Sequence, residues 1–153
     1  MTFRFLTAQF YQDHQTCRQI LEKGLRPYIC LQKGNNLFFM IPLRSQIKHP
    51  HAFPTDSGGI SGGADFSKTV VIVDGQKYID SSTIPFVEPM QRRGLQGKDY
   101  IVEQKLFRYI QTYKKALQNQ NVPRNKILVQ NSALQYFHKE LGITRLIASS
   151  LSN

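Results

Sequence analysis

The first residues alternate, with Phe3, Phe5 and Thr7 set against Arg4 and Leu6, which is the period of a short strand. Asp13 then offers a helix cap, Cys17, Ile20 and Leu21 an inner stripe, and Gly24 an end where positive φ costs little. Two apolar runs follow, Pro27 to Leu31 and Leu37 to Leu43, split by Lys33-Gly34-Asn35-Asn36, whose composition predicts a hairpin turn. Between positions 50 and 64 the apolar pattern lapses. Pro50, Pro54, Asp56 and the pairs Gly58-Gly59 and Gly62-Gly63 predict one long loop, anchored only by Ala52, Phe53 and Ile60. A loop of that kind beside a polar cluster is expected to carry function.

Thr69 to Val73 is β-branched almost throughout and predicts a strand, and Asp74-Gly75 is a hairpin signal with Gln76 to Ile79 returning. Ile84, Phe86 and Val87, among prolines, predict a short edge segment. From Lys98 the period changes. Val102, Leu106, Tyr109, Ile110, Tyr113 and Leu117 recur at steps of three and four, an amphipathic helix of about five turns. Asn119 to Pro123 breaks it, and Ile127-Leu128-Val129 fits a strand or a short helix. Ser132 opens a last helix with Leu134, Phe137 and Leu141 inward, and Arg145 to Ile147 reads as strand. The pattern predicts one α+β domain over residues 1–153, a compact, curved, mostly antiparallel sheet followed by helices.

Charge narrows the partners. Twenty Lys and Arg against 10 Asp and Glu give +10, a surplus that draws polyanions, nucleic acid before an anionic membrane. Between Gln91 and Arg145 stand 11 basic and 3 acidic residues, so the helical half, with Lys105, Arg108, Lys114 and Lys115 on the outer face of its long helix, is the expected docking face. Cys17 and Cys30 form neither a disulfide framework nor a metal spacing. No run reaches the roughly 18 apolar residues of a membrane span, and the expectation is a cytoplasmic protein with no membrane partner.

The densest chemistry lies where the second apolar run ends, at Arg44, Ser45, Lys48, His49 and His51, with a second cluster at Asp65-Phe66-Ser67-Lys68. If both meet in one cleft, the protein handles phosphates. Arg44 can hold a phosphate bidentately, Lys48 and Lys68 act as point charges, Ser45 and Ser67 donate hydrogen bonds, and His49 or His51 moves a proton near neutrality. Tyr28 and Phe53 flank the cluster as candidate base-stacking rings, and Lys33 is a further candidate RNA contact. Asp56, Asp65, Asp74 and Asp80 are scattered through turns, so no metal ligands and no cofactor are expected. The glycine pairs lack the lysine of a phosphate-binding nucleotide loop.

Tyr28-Ile29-Cys30-Leu31, Phe39-Met40-Ile41-Pro42-Leu43-Arg44-Ser45 with Lys48-His49, Gly63-Ala64-Asp65-Phe66-Ser67-Lys68, and Tyr136-Phe137-His138-Lys139-Glu140-Leu141-Gly142 together resemble the endoribonuclease toxins of type III toxin–antitoxin systems. The similarity is greatest to the TenpN branch, with ToxN and the phage-defence protein AbiQ more distant. The resemblance implies a strongly twisted, β-barrel-like core of MazF/Kid type with peripheral helices. It also implies metal-independent cleavage of RNA to 2′,3′-cyclic phosphate and 5′-hydroxyl ends. Such a toxin processes its own repeat antitoxin transcript into pseudoknots that inhibit it, often in closed toxin–RNA rings, and also attacks cellular and phage RNA. The family's polar pair and nearby lysine fall on Arg44-Ser45 and Lys48, with Arg44 in place of a threonine, and Tyr28 matches a position near the cleft. A non-enzymatic RNA-binding regulatory module remains the alternative on the same basic surface.

Overall fold

The computed structural model describes residues 1–22, 24–55 and 62–143. Seven strands and five α-helices are found among them: β1 Thr2–Leu6, α1 Ala8–Asp13, β2 Tyr28–Lys33, β3 Leu37–Arg44, β4 Ala52–Pro54, β5 Gly63–Asp65, β6 Val70–Ile72, α2 Gly75–Tyr78, β7 Ile79–Asp80, α3 Pro89–Leu95, α4 Asp99–Gln118 and α5 Pro123–Asn131. Short 3-10 turns cover Phe66–Lys68 and Ala133–Tyr136. The molecule is α+β, and its antiparallel strands run in the order β4-β5-β3-β2-β1-β7, with β6 also on β3. Among the described residues the sheet does not close.

β3 is the centre of the sheet because it is paired along both edges. One edge holds β2 from Leu37 to Pro42; the other holds β6 opposite Phe38 to Met40 and then β5 opposite Leu43 and Arg44. The Leu43 N–H donates to the Pro27 carbonyl on the β2 side, so by strand alternation the nitrogen of Pro42 faces the other edge. That nitrogen has no hydrogen to donate, and it falls where the edge passes from β6 to β5. The edge is interrupted there by the turn Phe66–Lys68, and β5 and β6 follow one another along the same side of β3.

α4 lays its stripe of Val102, Leu106, Tyr109, Ile110 and Tyr113 into the core, as its period predicts. Phe107 meets Phe39 of β3 edge to face, ring centroids 5.3 Å apart. Tyr28, Ile29, Met40 and Ile41 are fully buried beneath, each contributing roughly 1.5–3 kcal/mol.

Five expectations from the sequence are corrected. The first helix lies before Asp13: Thr7 caps it, and the Asp13 carboxylate is occupied by Tyr78 Oη at 2.7 Å and Gln9 Nε2 at 2.6 Å. Asp74-Gly75 starts helix α2, with Asp74 Oδ1 accepting from the Lys77 N–H, and the chain crosses to pair β7 with β1. Ile84 and Phe86 form no strand and stay exposed, whereas Pro89 begins the unforeseen α3. The expected loop is interrupted where Ala52–Pro54 pairs with Gly63–Asp65, and any Cβ on Gly63 would run into the Phe53 carbonyl oxygen. The last helix is one 3-10 turn, because the Phe137 N–H bonds back to Leu134. Ile127-Leu128-Val129 is helical, and the strand expected at Arg145 to Ile147 lies outside the described residues.

Candidate active site

Asp65 joins the two polar clusters. Pairing of Arg44 with Gly63 and of Leu43 with Ala64 brings Asp65 level with Pro42, fully buried, and the turn Phe66–Lys68 folds back over it. Arg44 Nη1 donates to Oδ2 at 2.7 Å. Oδ1 accepts from the Ser67 hydroxyl at 2.7 Å and the Ser67 N–H at 3.0 Å, and His49 Nε2 lies 3.1 Å from it. Burial alone would push this carboxyl up, but the bonds from His49, Ser67 and Arg44 outweigh it and bring its pKa down to about 2.

The same network orients the histidines. His49 Nδ1 accepts from the His51 backbone N–H at 3.0 Å, so the neutral ring carries its hydrogen on Nε2 and points it at Asp65 and the Ser67 oxygen, 3.1 Å away. Both nitrogens of His49 are thus engaged. The Ser67 hydroxyl spends its hydrogen on Asp65 and is buried, which corrects its expected place among the phosphate donors. His51 differs: among the described residues its ring nitrogens hold no hydrogen bond, and its ring sits between those of His49 at 5.8 Å and Tyr109 at 5.5 Å. Burial, and then His49, lower its pKa below the ordinary histidine value against the pull of Asp65.

His49 lines three cavities, a small one of about 150 Å³ with Ile47 and Pro54 and two larger ones. The basic one, about 370 Å³, is lined by Arg26, Arg44, Ser45, Gln46, Lys48 and His49, and by no carboxylate among the described residues. Ser45 and Lys48 are exposed there and make no hydrogen bond or ion pair among the described residues. Arg26 was missed at the level of sequence. Its Nη1 donates to the Leu43 carbonyl at 2.9 Å, it has no carboxylate partner among the described residues, and burial, reinforced by Arg44 and opposed by Tyr28, lowers its pKa. Its signal was the hairpin register: where Tyr28 faces Pro42, Arg26 falls opposite Arg44.

The second cavity, about 650 Å³, opens between the 49–51 segment and helices α4 and α5, with Pro50, His51, Tyr109, Ile127 and Leu128 in its walls. Lys68 lines it, yet Nζ already donates to Gln19 Oε1 at 2.6 Å and to the Asn131 carbonyl at 2.7 Å, closing the end of α5. Burial lowers the Lys68 pKa, opposed by Asp65 and reinforced by Arg44. A larger space of about 950 Å³, bordered by Arg4, Gln32, Asn35 and Phe38, has no histidine in its lining.

The remaining candidates divide. Tyr28 is fully buried in β2, so its ring is closed to a nucleobase and its expected stacking role is withdrawn. Phe53 is 9% exposed, with the Lys105 ammonium 5.3 Å over its ring. Lys33 belongs to the far end of the hairpin, paired with Glu103 at 2.6 Å. Lys105, Arg108 and Lys115 are exposed along α4 with Lys114 half-buried, and none lines either cavity. His138 is tied to Tyr113 Oη at 2.6 Å. Among the described residues no three His, Cys, Asp or Glu side chains are grouped to hold a metal ion. No family profile, curated protein or solved structure matches the chain.

Proposed function

We propose that the protein is a metal-independent endoribonuclease, the toxin of a type III toxin–antitoxin system acting in the cytoplasm. The observation that carries this reading is His51, whose ring nitrogens hold no hydrogen bond among the described residues, in the cavity next to a cationic one that no described carboxylate lines. In the proposed reaction Arg44, Arg26 and Lys48 surround the phosphoryl oxygens and Ser45 donates to one of them. His51, held neutral by its lowered pKa, takes the proton of the 2′-hydroxyl. The 2′-oxygen then bonds to phosphorus, the bond to the 5′-oxygen breaks, and that oxygen takes a proton from the Lys48 ammonium. The products are a 2′,3′-cyclic phosphate and a 5′-hydroxyl. The reading extends to a MazF/Kid-like, barrel-like curl of the sheet, supported by the division of β3's edge between β6 and β5. It extends also to a pseudoknot antitoxin RNA as inhibitor in a toxin–RNA ring, supported by the charge of +10.

Incubating the pure protein with RNA in excess EDTA and analysing the new termini tests this. Uncut RNA, or 5′-phosphate products that require a metal, would sink it. One observation favours the second reading, a non-enzymatic RNA-binding module: His49, Ser67 and Lys68 are already bonded within the protein. That module predicts RNA binding with no cleavage and no growth arrest on expression.

A further inference from the structure

We propose that the cavity between the 49–51 segment and helices α4 and α5 is a nucleobase pocket, taking the base attached to the phosphate that enters the basic cavity next to it. The inference rests on the RNA-directed reading above, and it assigns the part of the ligand that reading leaves unplaced.

Size, wall chemistry and charge all point to this occupant. At about 650 Å³ the space falls within the roughly 300–1,000 Å³ of sites that enclose small ligands. Its apolar surface is broad: the Tyr109 ring, Pro50 and Leu128 contribute, and Ile127 stands 59% exposed while its helix neighbour Val129 is buried. The Tyr109 hydroxyl is satisfied by Ser132 Oγ at 2.7 Å, so toward the cavity this residue offers ring carbon. Thr112, Asn125 and Asn131 add polar edges. Among the described residues no carboxylate lines the cavity, whereas Lys68 and Arg124 do, so an anionic ligand is favoured over a cationic one.

Adjacency to the basic cavity decides the class. His49 belongs to the walls of both, so one ligand spanning them places an anion against Arg26, Arg44 and Lys48 and a largely apolar group against Tyr109 and Ile127. A nucleotide joins those two parts through one sugar. Base stacking against side chains also tolerates all four bases, since every base has a π-face.

The test uses the full chain in EDTA, with methyl-labelled isoleucine and observed histidine ring protons. Each of the four nucleoside 3′-monophosphates and, as the base-free probe, ribose 5-phosphate is titrated in. The nucleotides are expected to shift the Ile127 methyl and the His51 ring, while ribose 5-phosphate binds roughly tenfold more weakly and leaves Ile127 unmoved. Ile127→Glu, at an exposed position that tolerates charge, should lose the nucleotide preference and keep the affinity for ribose 5-phosphate; Ile127→Ala should lose less. Equal affinity for the two kinds of ligand, an unmoved Ile127, or no saturable nucleotide binding at millimolar concentration would overturn the proposal. RNA cleaved by a protein whose Ile127 stays silent removes the base pocket and leaves the nuclease. Nucleotide binding at Ile127 with RNA left uncut does the reverse.

Discussion

Asp65 is the residue on which both cavities depend, because its carboxylate fixes Arg44 on one side and His49 on the other. A carboxyl with its pKa brought from 3.8 to about 2 stabilises the fold fully above pH ~4, and loses that contribution as pH falls through about 2. The difference is worth ~2 kcal/mol. Acid titration of stability should therefore fall across that window, and Asp65→Asn should flatten the fall; equal slopes for the two proteins would remove Asp65 as its cause. Asp65→Ala should cost more, ~3 kcal/mol by urea unfolding, since it strands Arg44 and Ser67. His51 makes the sharpest functional prediction. His51→Gln should keep the fold and reduce cleavage about 10²–10⁴-fold. In the unsubstituted protein kcat/KM should rise with pH through a value below 6.5 and level off at neutrality, because burial and His49 favour the neutral ring. A limb centred above 6.5 would assign the base elsewhere.

At the scale of elements, the site is held by small pieces locked onto β3. α3 reaches it through Gln91 Nε2, which donates to the Arg44 carbonyl at 3.0 Å. α3 comes so close to Thr55 that a Cβ on Gly94 would sit 2.7 Å from the Thr55 carbonyl oxygen. Gly94→Ala should cost ~1–3 kcal/mol in urea and loosen Arg44, an overpacking effect that unchanged stability would disprove. Lys68 belongs to this scale as well. Read as a free cation it would act on phosphate, but tied to Asn131 and Gln19 it fastens α5. Lys68→Met should cost ~1–2 kcal/mol and speed hydrogen exchange in the last turn of α5, so its effect on cleavage must be compared at matched folded fraction.

Across the whole molecule the charge is lopsided, and Lys105, Arg108, Lys114 and Lys115 of α4 line neither cavity. Single-stranded RNA bound through roughly four phosphates should give a slope of about −3 in log K against log salt. Reversing Lys105 and Arg108 to Glu should shallow that slope while leaving the site of cleavage unchanged. A shifted cleavage site would place α4 in base readout, and an unaltered slope would remove it from the docking face.

What the sequence by itself determined is the local order: the hairpin of β2 and β3, the five-turn period of α4, and the excess of positive charge in the helical half. These follow from spacing and composition within one element, which is where side-chain periodicity acts. The hairpin register even held Arg26 opposite Arg44, legible to counting but overlooked. Only the tertiary structure decided which polar groups are spent and which are free. Arg44 meets Asp65 across 21 positions, Lys68 meets Gln19 across 49, and Tyr109 meets Ser132 across 23. A polar side chain takes whichever partner the packed fold brings near and gives up water for it, and no local pattern states that choice. So His49 is occupied at both ring nitrogens, and His51, two residues later, holds no ring hydrogen bond among the described residues.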